Sequence, residues 1–466
     1  MVKKFKKFVK VVKAKTPWLE HVIEEFEDAC DLNQVDLVIR APPGSLCVYC
    51  KGSKMLCGKA QCPILVKIYS IARVSSIISS LNIVGSSPPA IFIGRHGYPY
   101  VQAGPLVPPF TGDTSILDTP ELWLKASIQD IVDFRVKLIR GKTRFHVKDA
   151  NEPPRILSEV QLMAMGSKPV DSEMILLKKP SASILLDDEV QPMGPSAPIK
   201  ELKIGNVSSN KLIEKAISDT DLKARDAILE LYEEGVPVSQ IQRVLSAGLL
   251  GVKGVRKLVP TRWSITAVDS TISRVLRDEK VKEMPEIDEY RVYSLNFMDN
   301  RFVILMFPGK WSYESIEAWF PGTAWNPGGE SIAFCGDWEG YWGRTTYASM
   351  GGCYYAARLA VTEHLVKIGK QASALVLREA HPGYIMPVGV WIVRECVRKA
   401  LNQGYEKSND LKDALNIAFS KLSISSSIWM QVSKLLNHYV KQERLTKFID
   451  HRLKTTPSNF DESLNR

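Results

Sequence analysis

No stretch of this 466-residue sequence stays apolar for long. The best run, Ile64 to Val84, is broken by Lys67, Arg73 and several serines, and spanning a bilayer takes roughly 20 consecutive apolar residues. A membrane protein is therefore not expected. The opening MVKKFKKFVKVVKAKTPW sets Lys3, Lys4, Lys6, Lys7, Lys10, Lys13 and Lys15 around Phe5, Phe8 and Val12. Lysines this frequent exclude the uninterrupted apolar core of a secretory leader, so a soluble cytoplasmic chain is expected. A solenoid period, a low-complexity tract, a Walker loop and an assignable Ser-His-Asp order are also missing. Repeat architectures and the commonest phosphate and acyl chemistries are left without a signal. Cysteines spread in the manner of a disulfide scaffold are absent too. Four of the eight crowd into Cys47 to Cys62, while Cys30, Cys335, Cys353 and Cys396 are scattered. Such clustering speaks for a metal in a reducing compartment.

What is present describes an ordinary globular protein. Hydrophobic residues make up 45% and charged residues 24%, enough to build packed cores, and the length suits two or three domains. The net charge of +10 favours polyanionic partners, because clustered cations neutralise phosphates and release their counterions. The same excess also serves solubility, so a basic face has to be found before the charge means anything.

Local pattern divides the chain into four stretches. Residues 1–150 form an N-terminal domain with helical spacing of Trp18, Val22, Phe26 and Cys30, a cysteine loop, helices within Ile64 to Leu81, a strand at Ala90 to Gly94, and a helix over Pro120 to Arg140. Residues 151–210 are rich in proline and read as an extended connector. Residues 211–440 form a C-terminal α+β domain. It opens on helices at Asp221 to Glu234 and Ser239 to Ala247, either a helix-turn-helix or a plain helical hairpin packed through Ile241, Val244 and Leu245. A β-hairpin turning at Met298-Asp299-Asn300, a strand at Ser373 to Leu377, and helices at Cys353 to Gly369, Pro387 to Asn402 and Ser425 to Ile449 follow. Residues 441–466 are a terminal segment. The fold class is mixed α/β of the α+β kind, with an N-terminal four-cysteine zinc loop.

The cysteine loop is the most specific local signal. Cys47 and Cys50 can chelate one ion from a tight turn, Cys57 and Cys62 complete a tetrahedron, and four thiolates leave no open position. A structural Zn2+ is expected, with buried reduced cysteines or an iron-sulfur centre as alternatives. Farther on, Gly94-Arg95-His96-Gly97-Tyr98 follows a strand and offers charge or a proton through Arg95 and His96, or is simply a structural loop. Val259 to Asp269 brings Arg262, Trp263 and Asp269 together: a cation for phosphate, a ring for a base, and a carboxylate. Between Trp311 and Trp342 lie half of the ten tryptophans, forming either a large core or a stacking platform. In the same region Asp337 and Glu339 are weak candidate metal ligands, while Arg344 precedes glycines that open a helix. Glu379 completes the set of polar residues that would suit a ligand pocket. Near the end, Gln442, Leu445, Phe448 and Ile449 have the spacing of a one-turn helical plug resembling the sliding-clamp interaction box, with a C-terminal core helix as the alternative.

Four phrases, IFIGRHGYPYVQAGPLVPP, LVPTRWSITAVD, GRTTYASMGGCYYAARLAV and PVGVWIVRECVRKAL, resemble the archaeal Nre family, which is linked to DNA repair. The resemblance implies an N-terminal cysteine cluster and a C-terminal box that binds the sliding clamp (PCNA). In this sequence Ile449 stands where the second aromatic of that box is usual. The reading that results is a DNA-repair protein that binds DNA and is recruited by the clamp. Two other classes stay open: an enzyme that modifies nucleic acid or transfers a nucleotide-derived group, and a zinc-stabilised RNA-binding or scaffold protein.

Overall fold

The structure, a computed structural model, describes residues 36–40, 50, 54–57, 59, 61–74, 80–185, 193–326 and 329–441. The helix expected around Trp18, the ligand Cys47, and the box residues Gln442, Leu445, Phe448 and Ile449 lie outside the described residues. Among the described residues no helix is long and apolar enough to cross a membrane. The fold is mixed α and β, built on two sheets.

The first sheet has eight strands: β1 (Asp36–Arg40), β2 (Asn82–Ser87), β3 (Ile91–Ile93), β4 (Tyr100–Val107), β5 (Ile139–His146), β6 (Val170–Leu176), β7 (Ser181–Leu185) and β8 (Ser196–Ile204). Its main order is β1-β7-β8-β5-β4-β3, and β6 joins β8 to β2. Strand β4 runs antiparallel to β5 with Tyr100 opposite His146. A Cβ on Gly104 would stand 2.2 Å from the Gly141 carbonyl oxygen, so these two backbones approach too closely for any side chain there. Packed with the sheet are α1 (Pro63–Val74), α2 (Ile128–Lys137), α3 (Arg155–Met165), α4 (Lys211–Ser218), α5 (Ala224–Glu233) and α6 (Val238–Ser246), which share one core cluster with it.

Three expectations change here. The single helix foreseen over Pro120 to Arg140 is a 3-10 segment, Pro120–Lys125, followed by α2. Ser127 separates them, its hydroxyl accepting from the Asp130 N–H at 3.1 Å while the Asp130 carboxylate accepts from the Ser127 N–H at 2.8 Å. This reciprocal capping starts a new helix rather than continuing the old one. Residues 151–210, read as an extended connector, carry α3 and strands β6 to β8. Two of their prolines stand at element entrances, Pro154 capping α3 and Pro195 preceding β8, while Pro198 lies within β8 opposite Lys142. The α5–α6 pair is the plain hairpin, since Val238, Gln240, Ile241, Gln242, Val244, Leu245 and Ser246 are all buried and α6 has no face left to enter a groove.

The second sheet contains β9 (Tyr290–Phe297), β10 (Asn300–Phe307), β11 (Ser312–Trp319), β12 (Ala333–Glu339), β13 (Ser373–Ala380) and β14 (Glu406–Ser408), in the order β12-β11-β13-β10-β9-β14. The hairpin between β9 and β10 turns on Met298 and Asp299, at φ of 49° and 55°, as a two-residue turn matching strand twist requires. The central strand β13 is buried at every position, so both faces must be covered. Helices α7 (Thr261–Val275), α8 (Gly352–Ile368) and α9 (Trp391–Asn402) gather on one side, α8 and α9 meeting Phe302, Ile304 and Val376. The other side packs Val303, Leu305 and Leu377 against α10 (Leu411–Ser420) and α11 (Ser426–Val432). Helix α8 is buried nearly all round; Leu359 belongs to the first core and Ala357, Ala360 and Val361 to the second.

The long helix expected from Ser425 to Ile449 breaks at Ser433, and helix resumes over 434–441. The cause is a carboxylate reaching up from the sheet. Glu314 on β11, 3% exposed, accepts from the Ser433 hydroxyl at 2.5 Å, the Lys434 N–H at 3.0 Å and the Leu435 N–H at 2.9 Å. It satisfies the amides that a new helix start leaves unpaired. Replacing Glu314 with alanine strands buried donors, and the expected loss is about 2–4 kcal/mol of unfolding free energy, read by urea denaturation. A loss below about 0.5 kcal/mol would show that the cap does not hold this segment.

Candidate nucleic-acid interface

The site begins with the direction of three helices. Thr266 of α7 lies beside Gly352, the first residue of α8, as does Val390, which caps α9; Cβ placement on Gly352 puts their side chains 3.2 Å and 3.1 Å away. Farther along, Arg358 of α8 donates to Ser273 of α7 at 3.0 Å, and Arg398 of α9 donates to Glu363 of α8 at 2.7 Å. The three helices are thus parallel, with their N-termini at one end. Parallel helix dipoles sum to positive potential there, and α7, entering five residues before it reaches Gly352, projects its first turn beyond the others.

That first turn carries Arg262 and Trp263, both exposed. It is tied to the first sheet by the Ile93 N–H, which donates to the Thr261 hydroxyl at 3.0 Å. The loop after β3 therefore comes alongside α7. It folds back through the Tyr100 N–H donating to the Gly97 carbonyl at 2.8 Å, with Gly97 at φ +82°, a conformation natural to glycine. Arg95 and His96 are exposed on this loop, and the Tyr98 ring meets Trp263 at 5.3 Å between centroids. Next to it Tyr100 is half exposed, edge-on to His146 at 5.0 Å, with the Arg144 guanidinium 4.9 Å from its ring centre. Tyr98, Tyr100 and Trp263 are 47%, 49% and 46% exposed. Three rings with open area, interleaved with Arg95, Arg144 and Arg262, make a surface suited to phosphates and base faces.

Other residues singled out in the sequence go elsewhere. Asp269 is buried, accepts both contacts of Arg394 at 3.1 Å and receives the Gln242 amide at 2.8 Å, so it clamps α7 to α9 and α6 rather than serving a ligand. Burial works against the Arg394 charge, yet Asp269 and Glu395 more than offset this and hold the guanidinium above its ordinary value. Glu379 is buried under the turn before α11, accepting from the Ser423 and Ile424 N–H groups at 2.9 and 2.8 Å and contacting His381 at 3.0 Å. Arg344 is engaged with Asp337, the Trp338 carbonyl and the Tyr347 carbonyl, holding its own loop together. Asp337 and Glu339 are not a metal pair: Glu339 is taken by Arg277 at 2.9 Å and Arg358 at 2.7 Å. The tryptophan-rich region divides, with Trp311 and Trp319 in the core and Trp325, Trp338 and Trp342 exposed. Of the proposed zinc ligands, Cys50 and Cys62 are buried and Cys57 is half-buried. Among the described residues no three metal-ligating side chains are grouped to hold an ion, and Cys47 lies outside them.

The sequence drew attention to Arg95, His96, Arg262 and Trp263, and these share one surface. It did not single out Tyr100, Arg144 and His146 as partners. Their signal was the pairing of two alternating strands, visible only once β4 and β5 are in register.

Comparison with known proteins covers most of the chain. The family description "Archaeal Nre, N-terminal" matches residues 56–326, and "Archaeal Nre, C-terminal" matches residues 339–448. The DNA repair protein NreB of Archaeoglobus fulgidus is 44% identical over 404 residues, covering 86% of this chain and all of that relative. The DNA repair protein NreA of the same organism is 39% identical, over 80% of this chain and 92% of its own length. The DNA repair protein NreA of Haloferax volcanii is 36% identical, over 76% of this chain and 86% of its own. No solved structure matches.

The clamp role of Asp269 has a measurable consequence. Arg394→Met leaves Asp269 a buried carboxylate without its ion-pair partner, still hydrogen-bonded to the Gln242 amide, and the expected cost is about 3–5 kcal/mol in chemical denaturation. The double variant Asp269→Leu with Arg394→Met should recover part of that cost, because the buried charge is gone, although the Gln242 amide loses its acceptor. A single variant as stable as the parent would refute the assignment.

Proposed function

The chain belongs to the archaeal Nre family, and from that premise we propose that it is a DNA-repair protein that binds DNA through the Trp263 surface and is recruited by the sliding clamp. The observation that carries the DNA contact is the grouping of exposed Tyr98, Tyr100 and Trp263 with Arg95, Arg144 and Arg262 at the positive end of three parallel helices. The relatives' names as DNA repair proteins support the setting. Rings and cations without a groove-reading helix suit unpaired bases and backbone phosphate, so binding is indifferent to sequence and weakened by salt. The clamp contact is assigned to Gln442, Leu445, Phe448 and Ile449 on their spacing.

The reading includes a zinc ion on Cys47, Cys50, Cys57 and Cys62. The burial of Cys50 and Cys62, and the position of Cys62 just before α1, where the helix N-terminus favours a thiolate, fit that donor set. A closed four-thiolate site would brace the loop and supply no reaction.

Fluorescence anisotropy with a labelled single strand at several salt concentrations tests the DNA contact. Arg262→Ala with Trp263→Ala should weaken binding about tenfold or more, since one stacked base is worth roughly 1–3 kcal/mol, and Arg262→Ala alone should lower the salt slope by about one unit. Unchanged affinity in the double variant would remove this surface from the interface. For the clamp, Leu445→Ala with Phe448→Ala removes two anchors of roughly 2 kcal/mol or more each if they are hot spots. Calorimetric titration with the clamp should show near-complete loss while the melting temperature is unchanged; parent-like affinity, or a fallen melting temperature with no clamp binding in the parent, defeats the box.

A further inference from the structure

A second exposed aromatic stands apart from this surface. Trp342 is 87% exposed, more than any other large hydrophobic side chain among the described residues. One exposed ring is unremarkable by itself, but this one is carried on a built support. It sits in a tight turn closed by the Gly343 N–H donating to the Gly340 carbonyl at 2.9 Å. Gly343, at φ +78°, lies so close over the Arg277 guanidinium that a Cβ would stand 2.3 Å from it. The residue entering the turn is Glu339, 2% exposed, gripped by Arg277 at 2.9 Å, Arg358 at 2.7 Å and the Trp311 indole at 3.3 Å. Three donors in the core thus fix the foot of the turn, and the indole projects from an anchored backbone.

The surroundings are cationic. The Trp342 ring is edge-on to Tyr341 at 5.2 Å, and the Lys282 ammonium lies 4.7 Å from the Tyr341 ring centre and 5.9 Å from that of Trp342. Exposed Lys310 lies 5.9 Å from Tyr341. Lys282 is committed to Asp278 at 2.6 Å with its side chain 11% exposed, and Arg277 meets the same carboxylate at 2.6 Å, so Lys310 is the lysine of this group that faces solvent. Because Gly343 rests on Arg277, beyond the C-terminal end of α7, Trp342 is separated from Trp263 by most of that helix, on the order of 20 Å.

We propose that Trp342, carried on a fixed turn, is an aromatic wedge that stacks on an exposed base where a DNA duplex is interrupted, with exposed Lys310 beside the adjoining phosphate. The proposal rests on the DNA-binding reading above. An intact duplex offers a protruding ring phosphates and groove edges but no free base face. Opening a base step costs a few kcal/mol, and at a nick, gap or unpaired base that cost is already partly met. A ring carried on an anchored turn therefore distinguishes interrupted from continuous DNA by stacking alone, without reading sequence.

The test uses the full chain and three labelled duplexes of one sequence: intact, nicked, and carrying a one-nucleotide gap with 2-aminopurine in the facing strand. Trp342→Ala should weaken binding to the gapped duplex about tenfold, in line with the loss of one stacking contact, and abolish the change in 2-aminopurine fluorescence. It should leave the intact duplex within about twofold, and Trp342→Phe should retain most of the parent's preference. Equal affinity of Trp342→Ala and parent for all three duplexes overturns the wedge, as does equal weakening on all three. Reduced clamp affinity with unaltered DNA binding would make the ring a protein contact and overturn it as well. A parent that binds the single strand but none of the three duplexes would sink the wedge alone, as would one that binds the duplexes and loses affinity only through Arg262→Ala with Trp263→Ala, whereas failure to bind single strand and duplexes alike would sink the DNA-binding reading and the wedge together.

Discussion

Three parallel helices lying side by side are electrostatically awkward, and the architecture depends on how that is resolved. Aligned dipoles repel laterally and collect positive potential at one end. Here the repulsion is opposed by ion pairs that cross from helix to helix or from helix to sheet: Asp269 to Arg394 between α7 and α9, Glu363 to Arg398 between α8 and α9, and Arg358 of α8 to Glu339 of β12. Buried pairs of this kind gain little over apolar packing, because desolvation consumes most of the Coulomb attraction, yet breaking one is costly. Their effect is therefore to set register. A slip of α9 along α7 by one turn would leave Asp269 and Arg394 unmatched, and the packing admits one arrangement. The uncompensated remainder of the dipoles appears at the N-terminal end, where Arg262 and Trp263 emerge.

The opposite face of the second sheet uses the same idea with backbone amides as the partners. Glu314 of β11 and Glu379 of β13 are buried carboxylates pointing away from α8, and each takes N–H groups from the segment that follows α10. A carboxylate under a helix start satisfies donors that nothing else in a dry core can reach. Because both lie on neighbouring, paired strands, the course of residues 423 to 436 is fixed against the sheet. The chain through residue 441 thus leaves the second sheet from a defined point on the protein. Buried glutamates that a search for catalytic groups would select are here structural, and the reason is that their oxygens are fully occupied.

How much of this was legible in the sequence follows from the range of the interactions concerned. The β9–β10 hairpin, α8 and the α5–α6 pair are local: alternation, a two-residue turn and helical periodicity declare them, and they appear within a few residues of expectation. The clustering of Arg262 with Trp263 is likewise a property of one helical turn. What the sequence hid is long-range. Nothing near Ser433 announces a helix break, because Glu314, more than a hundred residues away, imposes it. The prolines of residues 151–210 suggested extension without pairing, yet Pro154 and Pro195 sit at element entrances, where a missing N–H costs no ladder bond, and β8 accommodates Pro198 within it. Asp269 and Glu379 looked available because their partners, Arg394 and the Ser423 amide, are 125 and 44 residues distant. The zinc ligands and the clamp box depend on residues outside those described, and there the spacing of the side chains is the argument.

An open surface of rings and cations places a limit on the affinity that the proposed DNA contact can reach. A few stacked bases and phosphate contacts yield binding that salt readily weakens. A protein relying on that surface alone would be dispersed over any nucleic acid in the cell. Attachment to a clamp encircling DNA changes the arithmetic, since the second contact becomes intramolecular and is governed by effective concentration rather than by free affinity. Weak, sequence-indifferent contacts then suffice for occupancy, and they release quickly enough to sample successive positions. Selectivity in such an arrangement has to come from the form of the DNA presented to the surface. Aromatic side chains are suited to that task, because they bring a large contact area on only two side-chain torsions and so lose little entropy when they stack.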